Sequence, residues 1–339
     1  MYKQLICLIP LIHLLVPLLA LEVKAGTAKA PTSVKITCSD QKGEIKKQVK
    51  ELLFQGEFDK ITKLAQQYRK SKEKFSDGTW KLHQLYEAFV DCRDLDERTA
   101  IFAKLDEWSK KETKDPAPLI AIGNAYWSFG KNARGNGFAD TVTAEGWKLL
   151  GERLAIGRGK LLAKSQKCMI CPEFFVVMMK LGIDGSQDRE PFMKLFEQGV
   201  KLEPTYLYLY EIKSYYILPR WYGRKGELTN FVVETAKHNP EAALWVLWRL
   251  QNQGVYQNVF KDEEIDWNAI KANLVKCVRS DPAGIGYANI LAYLSDVAGD
   301  AETLAGALKS VDYQIDVSYW RPSVRAEEII KNGLPGDNP

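Results

Sequence analysis

Cys168-Met169-Ile170-Cys171-Pro172 is the sharpest local motif in the chain. Two cysteines at this spacing make a redox disulfide or half of a zinc site, because both sulfurs can face one point. Here the rest of either site is missing: there is no second pair, no suitably spaced histidine pair and no alternating strand–helix pattern. Cys168 and Cys171 are therefore read as a possible disulfide or as two buried thiols, with no metal and no cofactor. Past the first 25 residues the chain has two histidines, His83 and His238. His83 shares a helical stripe with Trp80 and Tyr86, and His238 precedes Asn239-Pro240, where an imidazolium would meet the negative end of a helix. Neither lies near a serine or cysteine nucleophile motif, so no catalytic residue is assigned.

Two further segments carry candidate binding groups. The glycine-rich run Gly130-Lys131-Asn132-Ala133-Arg134-Gly135-Asn136-Gly137 lacks the spacing of a phosphate loop and any strand before it, and it reads as a long inter-helical loop in which Arg134 is free to dock a carboxylate. Leu218-Pro219-Arg220-Trp221-Tyr222-Gly223 stops a helix and turns, placing two large rings and a guanidinium together. Trp221 is expected to plug a joint between helices; the competing role for Arg220, Trp221 and Tyr222 is a partner groove. Trp245 and Trp248, three apart, are expected in the core. The acidic set Asp262, Glu263, Glu264 and Asp266 lacks the order of oxygens and glycine of a calcium loop and reads as helix-terminal charge.

These residues need helices to position them, and the chain is punctuated as stacked helical hairpins. Asp115-Pro116, Glu203-Pro204, Asn239-Pro240 and Asp281-Pro282 each precede an apolar stretch of helical period. Proline suits the first turn of a helix and Asp or Asn caps its exposed donors. Pro204 to Pro240 is 36 residues and Pro240 to Pro282 is 42, close to the length of a tetratricopeptide unit. Ile45, Val49, Leu52 and Leu53, then Phe58, Ile61, Leu64, Ala65 and Tyr68, form two stripes about Gln55-Gly56-Glu57. Leu119 to Tyr126 reads as a first repeat helix whose Gly123 lets a neighbour approach. Tyr206 to Tyr210 reads as the start of a buried helix ended by Pro219 rather than a strand. Tyr287, Ile290, Leu291 and Leu294 are answered by Leu304, Leu308 and Val311 across Ala298-Gly299-Asp300.

The expected fold is all-α, a tetratricopeptide-like solenoid over residues 41–332. Residues 26–40 are expected to be a tether and 333–339 a tail. Residues 1–25 read as an export signal: Lys3, an apolar run from Leu5 to Leu21, then Val23-Lys24-Ala25 before Gly26. An uncleaved anchor is the alternative, and the only membrane contact expected is through that segment. With 47 Lys and Arg against 43 Asp and Glu, the chain is near neutral and has no basic stripe, which argues against nucleic acid. Removing Cys7 with the leader leaves five cysteines, an odd number that does not suggest a disulfide framework.

Three segments, Lys131 to Val142, Glu145-Gly146-Trp147 and Leu218-Pro219-Arg220-Trp221-Tyr222-Gly223, resemble a bacterial family of exported proteins known as domain of unknown function four thousand and thirty-four. The similarity covers roughly Asp115 to Asn239. It implies a tetratricopeptide-like helical fold with no assigned activity and no functional residues to carry over. The function expected from the whole sequence is a periplasmic or secreted, non-enzymatic scaffold that binds a protein or peptide through its concave face. The alternative is a cell-envelope hydrolase or glycan-binding protein, which requires two carboxylates in one cleft beside exposed tryptophan.

Overall fold

A computed structural model describes residues 30–334 except 136, 186–187 and 281–283. Residues 1–25, expected to be an export signal, Asp281-Pro282 and the end of the tail lie outside the described residues. The fold is all-α and solenoid-like, with seventeen α-helices among the described residues. Helices α1 (Cys38–Phe54) and α2 (Phe58–Ser71) form the first hairpin, followed by α3 (Lys81–Glu87) and α4 (Leu95–Lys111). The hairpin of α5 (Ala117–Arg134) and α6 (Ala144–Leu162) leads through the short α7 (Ser165–Cys168) to α8 (Pro172–Asp184) and α9 (Arg189–Leu202). Then come α10 (Leu207–Tyr216) with α11 (Glu227–His238), and α12 (Pro240–Asn252) with α13 (Val259–Asp262) and α14 (Trp267–Ser280). Helices α15 (Ile285–Ala298), α16 (Ala301–Lys309) and α17 (Ser323–Asn332) complete the chain.

The stop and start signals act largely as the residue types dictate. Asn239 accepts from the Ala242 N–H at 3.1 Å and its amide reaches back to the Pro204 carbonyl at 2.8 Å, so one cap also ties two successive joints together. Asp115 accepts from the Ala117 N–H at 2.9 Å, and Asp300 from the Thr303 N–H at 3.0 Å. The Glu203-Pro204 joint behaves differently: α9 ends there, and α10 starts only at Leu207 behind a buried Tyr206. Helix α5 also runs further than expected, to Arg134, so Lys131 to Arg134 belong to its last turn rather than to a loop.

Helices α1, α3, α5, α8, α10, α12 and α15 pack side by side as an inner layer, each against the next, and their partners cover the outside. The α5–α6 contact is the most extensive helix pairing among the described residues. A Cβ on Gly123 would sit 2.6 Å from the Leu161 side chain, and one on Gly157 would sit 2.9 Å from Tyr126. The inner layer curls until its two ends meet. Gly286, in the first turn of α15, lies so close to the loop after α2 that a Cβ there would be 2.5 Å from the Asp77 nitrogen, and the Tyr287 N–H donates to the Ser76 carbonyl at 3.2 Å.

The expected tether takes part in this closure. Thr32–Ser33 pairs in parallel with Gln314–Ile315, Asp316 accepts from the Cys38 N–H at 2.8 Å, and α1 begins at Cys38 rather than after residue 40. At the other end, Leu334 is buried beyond α17. One contiguous core of apolar side chains runs through all the repeats, as stacked units that cannot bury their faces singly require.

Candidate functional site

Polar side chains interrupt the apolar faces of the inner helices, and the spacing within each helix brings them onto one concave wall. His83 and Glu87 come from α3, Trp127 and Lys131 from α5, Lys180 and Asp184 from α8, Tyr208, Glu211 and Tyr215 from α10, and Arg249 from α12. Separations of three, four and seven residues stack such groups on one helix face. They line a cavity of about 440 Å3. A second lobe of about 250 Å3 adjoins it, sharing His83, Glu87, Tyr208 and Arg249 and adding Lys42, Lys46 and Trp245. The two lobes form one groove.

Each carboxylate of the groove is held by a cation. The Lys180 ammonium donates to Glu87 at 2.8 Å, and it lies 4.5 Å from the centre of the Trp127 ring. Asp184 accepts from Lys131 at 3.0 Å on one oxygen and from the Trp127 indole at 2.7 Å on the other. Glu211 likewise takes Arg249 at 2.8 Å and the Trp245 indole at 2.9 Å. Burial pushes the Glu87 carboxyl up, but the charges of Lys180 and His83 outweigh it and hold the group at about 2. Burial works against the Lys180 ammonium too, yet Glu87 and Glu173 raise its pKa above the ordinary lysine value. Ion pairs this shielded fix the wall, because losing either member leaves a charge without a partner.

His83 sits where the lobes meet. Its Nδ1 is 2.9 Å from one oxygen of the buried Glu173, which also accepts from the Tyr206 hydroxyl at 2.6 Å. Its Nε2 is 3.6 Å from Glu87, and its ring stacks on Tyr208 with centroids 3.4 Å apart. His83, Glu87 and Glu173 offer ligand atoms within 4.8 Å of one another, the one such set among the described residues. A single ion would need all of them at about 2.0–2.2 Å. In this arrangement the two carboxylates face opposite ring nitrogens and Lys180 already occupies Glu87, so the set is a clamp on the imidazole rather than a metal cradle. Cys38 also lines the smaller lobe, but burial and the nearby Asp77 push its thiol up to about 12, far from a thiolate nucleophile.

The residues singled out in the sequence divide between groove and scaffold. Arg220 and Trp221 line the larger lobe. Trp221 is 39% exposed, so it does not plug a joint. That task falls to its neighbour Tyr222, which stacks on Tyr216 at 4.7 Å and donates its hydroxyl to the Ile183 carbonyl at 2.7 Å. The reason is the turn itself: the Gly223 backbone presses on Ile217, which turns Tyr222 toward α8 and leaves Trp221 at the mouth of the cavity. Arg134 lies away from the groove and donates to the Gly135 and Gly137 carbonyls at 3.1 and 2.9 Å, with its guanidinium 5.2 Å from the Trp147 ring centre.

Cys168 and Cys171 are free, buried thiols, and burial raises Cys168 to about 11. Trp245 and Trp248 are buried in the core as expected, yet both also contribute to the wall of the smaller lobe. His238 pairs with Glu234 at 2.8 Å on the surface, whereas His83 belongs to the groove. The signal for the groove was a polar residue inside an otherwise apolar helix, as with Lys180 in Phe174-Phe175-Val176-Val177-Met178-Met179-Lys180-Leu181. The chain matches no family model, no curated protein and no solved structure.

Proposed function

We propose that the protein is an exported, non-enzymatic helical-repeat scaffold that holds a peptide or protein segment in the groove of its inner helices. The observation that carries this reading is the exposed Trp221 beside Arg220 at the mouth of a two-lobed cavity whose wall is fixed by partly buried ion pairs. A rigid wall with a free aromatic ring and a free guanidinium at its rim has the make-up of a binding hot spot. Export rests on the apolar run and the Val23-Lys24-Ala25 ending. Membership of the exported family named above rests on the three segments that resemble it, and the solenoid-like fold agrees with what that family implies.

The hydrolase and glycan-binding reading has less support. Its requirement for carboxylates beside tryptophan is met in composition by Glu87, Asp184 and Glu211 near Trp127 and Trp221. A glycosidase acid must, however, hold a proton near neutral pH, and Glu87 is held at about 2. A photo-crosslinking residue at Trp221, compared with one at Trp147 on the outer surface, tests the binding reading in cells that export the protein. Adducts are expected at 221 and not at 147. Equal labelling at both positions, or labelling at 147 alone, would remove the groove from the account.

A further inference from the structure

Resting on that reading, we propose that the groove's occupant is an acidic peptide segment, with carboxylates meeting Arg220 in the larger lobe and Lys46 in the smaller and an apolar side chain lying between them. The inference comes from counting which charges of the wall are already satisfied. The three carboxylates lining the two lobes are Glu87, Asp184 and Glu211, and each is held by a lysine or arginine of the same wall. No carboxylate of the groove is left without a cation.

Cations remain. Arg220 lines the larger lobe and makes no hydrogen bond or ion pair among the described residues. Lys46 lines the smaller lobe, and its one partner is Asp91, 3.2 Å away with a largely exposed side chain. A solvent-exposed pair of that kind is worth about 0–1 kcal/mol and is readily exchanged for a better acceptor. The smaller lobe is also lined by the Tyr319 hydroxyl, whose partner is the Cys38 thiol, a weak acceptor. The groove thus offers donors at both ends and aromatic surface in the middle, where Tyr208 stacks on His83.

Acidic polysaccharide is the other chain that carries carboxylates, and the wall fits it less well. Each sugar hydroxyl is a donor as well as an acceptor, and needs acceptors to receive it. Both oxygens of Asp184 and of Glu211 are already taken by an indole N–H and a cation. A peptide side chain such as leucine asks for none, and its neighbouring carboxylates supply the acceptors that Arg220 and Lys46 lack.

The test is selection from a random octapeptide display library on the immobilised mature protein, followed by anisotropy measurements on one selected peptide. The selected pool should be enriched in Asp and Glu on either side of an apolar residue. The chosen peptide should lose at least about tenfold in affinity on Arg220→Gln, a hot-spot effect, and weaken as salt is raised. Arg220 is exposed and makes no hydrogen bond or ion pair among the described residues, so its variant should melt with the wild type.

A pool without acidic enrichment, or an affinity unchanged by Arg220→Gln, would overturn the acidic assignment. If crosslinking at 221 succeeded at the same time, the groove reading would survive that loss. Displacement of the selected peptide by an oligosaccharide of uronic acids that binds more tightly than any peptide in the pool would overturn the peptide assignment.

Discussion

The imidazole of His83 lies on the phenol of Tyr208 with ring centroids 3.4 Å apart and planes 24° from parallel, and this stack is the partition between the two lobes of the groove. Both rings are held from behind. Glu173 takes the His83 Nδ1, and the Gln84 amide donates to the Tyr208 hydroxyl at 3.1 Å. The rings that shape the cavity are therefore anchored by hydrogen bonds to buried side chains, Glu173 behind the wall and Gln84 within the smaller lobe.

The Lys180–Glu87 pair is the clearest energetic element of the wall. Lys180→Met should destabilise the protein by about 3–5 kcal/mol, because it leaves Glu87 without its ammonium in a shielded site. Adding Glu87→Gln to Lys180→Met should recover much of that loss, since no unpaired charge then remains. Urea unfolding of the two single variants and the double variant measures the coupling. Strict additivity would mean that the pair does not interact.

Acid should expose the same group. The folded Glu87 carboxyl stands at about 2 against 4.5 for an ordinary glutamate, so its contribution is fully present above about pH 4.5 and is lost as pH falls through 2. At about 1.4 kcal/mol for each pH unit between the two values, the contribution is on the order of 3 kcal/mol. The stability difference between wild type and Glu87→Gln should therefore shrink as pH is lowered from 5 toward 2. A difference independent of pH would show that the carboxylate is not held in this way.

Closure of the inner layer depends on one glycine. Gly286→Ala would drive a Cβ to within 2.5 Å of the Asp77 backbone nitrogen, and should cost about 1–3 kcal/mol as overpacked sites do. Gly306, in α16, has open space around it, and Gly306→Ala should instead stabilise by about 0.5–1 kcal/mol by lowering the entropy of the unfolded chain. Thermal melts of the two variants should move in opposite directions. A Gly286→Ala melt equal to wild type would mean that the two ends are not in contact.

The hairpins were legible because their signals are local. Apolar spacing in Ile45 to Leu53, the Asn239 cap and the Gly299 turn each act within a few residues, and each appears where the pattern placed it. The groove was not legible, because its pairs are distant: Lys180 meets Glu87 across 93 residues and Arg249 meets Glu211 across 38. A charged residue inside an apolar run has no local partner to announce its role. The exchange of roles between Trp221 and Tyr222 has the same origin, since composition shows that one ring must pack and only the turn at Gly223 decides which.

The most direct measurement of the central claim, that Trp221 serves a ligand and not the fold, is a thermal melt of Trp221→Ala made alongside recovery of the partner captured at that groove. The account predicts a melt superimposed on the wild type, within the roughly 0.5 kcal/mol expected of a surface substitution, and partner recovery reduced by about tenfold or more. A melt lowered by the about 3–5 kcal/mol of a core aromatic truncation, with partner recovery unchanged, would contradict it.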